Sequence, residues 1–261
     1  MLVLRASWCP CAAHATITAV RLFFIVDHKA KICFWVAAPS LVHGVTHYAS
    51  LKAHEDVLYV DDDIVVVNKP SGLLCVPGRV ERDSLATRVA LELGHYRVDR
   101  MIVHRLDMAT SGVVVMARSD AALKELNRQF RERNVRKRYV AMVHGVLSAD
   151  DGEVDLPLCK NMACPPLHMV NMEQGKPSLT QWRVIERAAD RTRVSLVPVS
   201  GRSHQLRLHM DAIGHPILGD HFYGTKESLA LADRCLLHAE MLCIRHPITG
   251  EPRMFTAPCE F

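Results

Sequence analysis

His104-Arg105-Leu106-Asp107-Met108-Ala109-Thr110-Ser111-Gly112 leads without a break into Val113-Val114-Val115-Met116-Ala117. The unbroken apolar run after Gly112 has the pattern of a strand buried on both faces. The short polar and small residues before it predict a tight turn. That turn carries an acid and a base side by side, Asp107 and Arg105, at the mouth of the strand. Buried strands rarely begin with such chemistry, and charged groups on a loop held by a rigid scaffold are where binding and catalysis concentrate.

On the N-terminal side, Val57-Leu58-Tyr59-Val60 predicts a strand and Asp61-Asp62-Asp63 a turn. Ile64-Val65-Val66-Val67 predicts a second, buried strand ending at Asn68-Lys69-Pro70-Ser71-Gly72. The pair forms a β-hairpin that delivers a polar loop, in which Lys69 is either a solvated residue or a phosphate contact. Pro77-Gly78-Arg79 marks another turn, and Ser84 caps a short helix through Leu93 that Gly94 ends.

On the C-terminal side, Ser119 is an N-cap with Asp120 in the first turn, and Leu123, Leu126 and Phe130 give one apolar face. This helix is expected to pack on the sheet. Its far end sets Arg128, Arg131, Arg133, Arg136, Lys137 and Arg138 against the single anion Glu132. Such a run is often a solvated face, and it fits equally a polyanion whose phosphates it would hold without reading sequence. Tyr139 follows at once, and Val140 to Gly145 continues as a strand in which Tyr139, Ala141 and Val143 share a face. By that pattern Tyr139 is a sheet tyrosine. An aromatic ring beside a cation run is also what nucleic-acid sites use, stacking a base on the ring while the cations hold phosphate.

Residues 150–178, rich in Pro, Gly, Asn and Asp, predict an irregular excursion with little core. Ser178 to Ala188 and Thr192 to Val199 predict paired antiparallel strands. In Ser200 to Gly214, Ser203 is the expected N-cap, Leu206, Met210 and Ile213 form the apolar face, and Gly214 is the stop. His204, Arg207 and Asp211 then share one helical stripe, which by itself predicts a surface ion-pair stripe. His204, His209 and His215 do not share a face, so no metal site is expected of them. Ile217 to Gly224 predicts a loop, Leu236 to about Ile244 a last strand, and His246 to Gly250 a terminal turn.

Of the 261 residues 49% are apolar and 23% charged, as in ordinary soluble globular chains, and Lys and Arg exceed Asp and Glu by 32 to 28. That surplus is a weak pull toward an anionic partner. The nine cysteines include no CxxC pair, and no secretory segment precedes them. They are expected to be reduced thiols in the cytoplasm. No apolar run approaches the ~20 residues of a membrane-spanning helix, so no membrane partner is expected. Neither a Gly-rich phosphate loop nor a GxSxG turn is present.

A carboxylate held beside an arginine stays ionised at neutral pH, because the opposite charge favours the charged form. Asp107 is therefore a nucleophile or charge stabiliser rather than a proton donor. Hydrolysis of a sugar bond by the common route would want a second carboxylate. Asp62 and Asp63 sit in the hairpin turn and Asp211 on a helix flank. The residues thus reach a polyanion-binding α+β protein with one activated aspartate, a tyrosine, arginines and no metal, and they stop short of a reaction.

His104-Arg105-Leu106-Asp107-x-x-Thr110-Ser111-Gly112 resembles the signature of the RluA-type pseudouridine synthases. Further matches follow in the family's order: Asn68-Lys69-Pro70-Ser71-Gly72-Leu73, Arg138-Tyr139-Val140-Ala141, Gly201-Arg202-Ser203-His204-Gln205-Leu206-Arg207 and Leu237-His238-Ala239. The resemblance implies isomerisation of uridine in RNA. The C1′–N1 bond is broken, the uracil rotates, and C5 is joined to C1′, with no cofactor and no metal. It implies a mixed, largely antiparallel sheet with flanking helices and a central catalytic cleft. Asp107 matches the essential aspartate, which either adds covalently to the sugar or base or promotes loss of the C2′ proton. Tyr139 matches the tyrosine that stacks on the target base, and Arg207 the basic residue that pairs with the aspartate. Arg105 matches an arginine that fills the gap left by the flipped nucleotide, offsetting a few kcal/mol of lost stacking and pairing. Leu237 is expected against the uracil or the aspartate. Lys69, His104, Arg136, Lys137, Arg138, Arg202 and His204 complete the expected substrate-binding set.

The resemblance further implies two substrates, a uridine of large-subunit 23S rRNA and one in the tRNA anticodon stem-loop, handled by a monomer. Residues 51–261 are then the synthase domain, with no S4 RNA-binding domain. Residues 1–50 lack any sustained period of 2 or 3.6 and are expected to be an extension, weakly ordered or the product of a mis-called gene start upstream of Val42 or Val45. An RNA-binding protein with the same fold but no turnover is the alternative, and the presence of Asp107, Tyr139 and Arg207 together stands against it.

Overall fold

The computed structural model describes residues 56–94 and 97–261, and the expectations for residues 1–50 lie outside the described residues. Strands β1 (Val57–Val60) and β2 (Ile64–Lys69) form the expected antiparallel hairpin. Its turn is held by Asp61, whose carboxylate accepts the amides of Asp63 and Ile64, each at 2.8 Å. Strand β2 runs on to Lys69 because that residue still pairs with Gly112 of β3 (Ser111–Ala117).

Every residue of β3 is buried, and the alternation of the β2 and β3 runs explains why. Val65, Val67, Val114 and Met116 face one core together with Leu85 and Val89 of α1 (Leu85–Glu92). Ile64, Val66, Val113 and Val115 face the opposite core with Ala122 and Leu126 of α2 (Asp120–Arg131). Both helices start where expected: Ser84 and Thr87 form a reciprocal capping box, and the Ser119 side chain accepts the Ala122 amide.

Nine strands build the sheet among the described residues. Beyond β3 come β10 (Leu237–Arg245), β4 (Arg136–His144), β9 (Arg191–Pro198), β8 (Leu179–Arg187) and β5 (Asp151–Asp155), with β11 (Pro252–Thr256) on β10. The β3–β10 pair is parallel and the rest antiparallel, the mixed α+β architecture expected. A third core joins Ala141, Val143, Val194 and Leu196 of β4 and β9 to Leu206 and Met210 of α3 (Gln205–Ala212). Tyr139 packs against this core and against the one under α1, at the middle of the sheet. A short α4 (Lys226–Ala230) precedes β10. No helix among the described residues is long and apolar enough to cross a membrane.

Three expectations are corrected. Residues 150–178 are not structureless: they hold β5, and β6 (Leu158–Lys160) paired with β7 (His168–Val170) as a separate hairpin. Strands of three residues between Pro and Asn punctuation carry too few positions to show a period. The terminal turn is followed by β11, an edge strand in which only Phe255 is buried. The N-cap of α3 is His204 rather than Ser203, in the left-handed conformation at φ 57° and with no side-chain cap. The turn is held instead from inside, where Gln205 Oε1 accepts the Arg202 amide at 3.0 Å and the Ser200 hydroxyl at 2.8 Å.

Candidate active site

The Asp107 turn is fastened from several sides. The Thr110 amide bonds the Asp107 carbonyl at 3.1 Å, closing the turn. The polar loop of the β1–β2 hairpin grips it through Gly72 N to Met108 O at 2.9 Å and Ser71 Oγ to Ala109 O at 2.7 Å. Lys69 completes the clamp: it is fully buried, and its Nζ donates to the carbonyls of Pro70, Leu73 and Met108 at 2.9, 2.7 and 3.1 Å. This corrects both readings of Lys69. Its amine is spent on backbone carbonyls beneath the Asp107 turn and reaches neither solvent nor a phosphate. Burial lowers it to about 8, while the thiolate form of Cys75 and the Asp107 charge act in the other direction. Gly112, at φ 114°, lets β3 close on β10, because a Cβ there would run into the backbone of Ala239.

His104 has an internal bond as well. Its Nε2 accepts the Val115 amide at 3.1 Å and its ring stacks on Phe130 at 4.6 Å. Burial, with Lys137 nearby, lowers it to about 3, so the ring stays a neutral acceptor. His104 thus anchors the loop to β3 through Nε2, and it also lines the cleft. Arg105, next in sequence, is exposed on the cleft wall.

Opposite stands Arg207. The predicted surface stripe fails here, because Arg207 is 3% exposed and Asp211 has no part in its pairing. Its guanidinium grips Asp220 with two bonds, Nε to Oδ2 at 2.7 Å and Nη2 to Oδ1 at 2.6 Å. The remaining arm, Nη1, reaches Asp107 Oδ2 at 3.3 Å. The rings of Phe222 and Tyr223 cover the cation at 4.9 and 5.2 Å. Bidentate pairing of this kind fixes the fork, so the third contact is aimed rather than sampled. Asp220, Phe222 and Tyr223 carry no expected role from the sequence. The only signal was an acid after Gly219 followed by two aromatics in a loop without periodicity.

His204 Nε2 lies 3.9 Å from Asp107 Oδ1, and its Nδ1 is 2.6 Å from the Tyr223 hydroxyl. Burial, together with the charge of Asp107, raises the Tyr139 hydroxyl above its ordinary range and keeps it protonated. Tyr139 and the buried Leu237 line the same cleft as Asp107, His204 and Arg207. The cleft, about 1000 Å³, continues past them to Arg131, Arg133 and Arg136.

The cation run does not act as a block. Arg128 is tied to Glu125 and Glu132 at 2.7 and 2.6 Å, and Arg138 to Glu240 at 2.6 Å. Lys137 is partly buried, with Nζ 5.5 Å over the Phe130 ring. Arg131, Arg133 and Arg136 are exposed at the cleft edge. Arg202 lines the cleft and donates to Pro177 O at 3.4 Å. Among the described residues no group of His, Cys, Asp and Glu side chains is placed to hold a metal ion.

Comparison with known proteins gives the family. The family described as RNA pseudouridylate synthase matches residues 63–212. The dual-specificity RNA pseudouridine synthase RluA of Escherichia coli strain K12 is 55% identical over 208 residues, covering 78% of this chain and 93% of that protein. Among solved structures, human RNA pseudouridylate synthase domain containing 1 aligns with a TM-score of 0.65 at 29% identity, over 78% of this chain and 82% of that one. Human RNA pseudouridylate synthase domain containing 4 aligns with a TM-score of 0.63 at 25% identity, over 78% and 88%. With an aspartate met by a buried arginine and exposed cations along the same cleft, the chain belongs to the RNA pseudouridylate synthase family, as a synthase of the RluA type.

Proposed function

We propose that this protein converts specific uridines to pseudouridine in structured RNA loops, one in large-subunit rRNA and one in the tRNA anticodon stem-loop. The observation that carries the reading is Arg207, held by Asp220 and reaching Asp107 at 3.3 Å inside a cleft that runs on to exposed arginines. In this reading Asp107 acts on the flipped nucleotide, Tyr139 and Leu237 face its base, and Arg207 holds the aspartate. Arg105 fills the space the nucleotide leaves, while Arg136 and Arg202 meet phosphate. The second carboxylate on Arg207, that of Asp220, is fully buried and tied in the clamp, and a shape-read loop suits a cleft that offers the RNA mostly backbone-directed cations. The protein acts in the cytoplasm as a monomer.

The test is incubation of an anticodon stem-loop with the purified protein in the presence of a chelator, followed by carbodiimide treatment and reverse transcription. A new stop at a loop uridine, on an intact strand, is expected. Strand cleavage, or tight binding with no stop, would overturn the assignment, the latter in favour of a binding protein without turnover.

A further inference from the structure

His204 is held in the left-handed region at the head of α3, at φ 57° and ψ 14°, which a side chain disfavours. What it gains there is a fixed ring. Its Nδ1 lies 2.6 Å from the hydroxyl of Tyr223, and that hydroxyl already accepts the amide of His168, in β7, at 3.0 Å. The hydroxyl has no other bonding partner among the described residues, so donation to Nδ1 is the arrangement that uses its proton as well as its oxygen. An imidazole that accepts at Nδ1 carries its proton on Nε2.

That Nε2–H faces the cleft, 3.9 Å from Asp107 Oδ1. The separation is too long for a direct bond, and it admits a hydroxyl oxygen about 2.8 Å from both groups. Any nucleotide that presents C1′ to Asp107 brings C2′ and its hydroxyl to the same carboxylate. We propose that Tyr223 is a positioning residue that fixes the His204 tautomer, and that His204 Nε2–H donates to the ribose 2′-hydroxyl of the target uridine. The cleft thereby selects a ribonucleotide over a deoxyribonucleotide at that one position.

The inference rests on the reading that Asp107 acts at the sugar of the target. Besides Tyr223, the charged and titratable groups facing His204 are Asp107, Arg207, His168 and Asp220. Burial, with Arg207 and His168, holds the ring below its ordinary value against the two carboxylates, which keeps it in the neutral form the contact needs.

The test is a binding cycle in the Asp107→Asn background, which removes turnover from the comparison. Two anticodon stem-loops, identical except for uridine or 2′-deoxyuridine at the target, are titrated by fluorescence anisotropy. The Asp107→Asn protein should prefer the ribose form by about tenfold, the worth of one well-made hydrogen bond. Adding Tyr223→Phe, which keeps the ring over Arg207, or His204→Leu should weaken ribose binding by that factor and leave deoxyribose binding unchanged. Any intrinsic effect of the missing hydroxyl on loop shape cancels in this ratio. Equal losses on both stem-loops, or a preference that survives both substitutions, would overturn the contact. No measurable binding of either stem-loop would overturn the RNA-cleft reading beneath it. Because the readout needs no turnover, its failure leaves the stem-loop conversion assay to judge the reaction separately.

Discussion

The two ends of the cleft use arginine in opposite ways. Arg207 is 3% exposed, clamped by Asp220 and stacked under Phe222 and Tyr223, and its Nη1 reaches Asp107. Arg131, Arg133 and Arg136 stand exposed at the far rim with no carboxylate partner among the described residues. Desolvated charge is expensive and is tolerated where its geometry is over-determined. Exposed charge costs the fold little and gives a mobile, interchangeable grip on phosphate. The difference separates the groups that must be placed to a fraction of an ångström from those that need only be present.

Substitutions at the buried end should therefore act on the fold as well as on turnover. Asp220→Ala leaves Arg207 buried with one long contact, and should cost about 3–5 kcal/mol of stability by denaturant unfolding along with most of the activity. A loss under about 1 kcal/mol would mean that the clamp is not what holds Arg207. Lys69→Met leaves the carbonyls of Pro70, Leu73 and Met108 without their donor. It should cost about 1–3 kcal/mol and lower turnover through the displaced Asp107 turn, measured as melting shift and as kcat.

His104 carries a pH signature in the same region. Its folded value of about 3 lies below the ordinary 6.5, so between these two values the unfolded chain takes up a proton that the fold refuses. Its contribution to stability is complete above pH 6.5 and falls as the pH drops toward 3. In His104→Leu the melting temperature should decline less steeply over that window than in the wild type. Parallel declines would show that the acid sensitivity lies elsewhere. At the exposed end the smallest effects are expected. Arg136→Ala should change stability by no more than about 0.5 kcal/mol and reduce the log–log salt slope of RNA binding by about 1.

The same division explains what could be read in the chain before its structure. The Asp107 turn, the hairpin before it and β3 were legible because two apolar runs, Ile64 to Val67 ahead of Asn-Lys-Pro-Ser-Gly and Val113 to Ala117 between Gly112 and Arg118, leave little freedom in assignment. The caps at Ser84 and Ser119 follow from side-chain chemistry within three residues. The supports of the site were not legible, because they depend on contacts far apart in sequence. Asp220 sits in an aperiodic loop and meets Arg207 only once α3 has packed. Lys69 lies in text that looks like a solvated turn, yet its ammonium bonds a carbonyl 39 residues away. His204 follows Ser203, a better N-cap by composition, and takes the cap position in a left-handed conformation, its ring bonded to Tyr223.

The central claim is that Asp107, aimed by Arg207, performs the reaction while the exposed cations supply the grip. Single-turnover conversion and equilibrium binding of one anticodon stem-loop by Asp107→Asn test it most directly. Asp107→Asn should form no pseudouridine and bind with an affinity within a few-fold of wild type. Pseudouridine formed at a measurable rate by Asp107→Asn would contradict it.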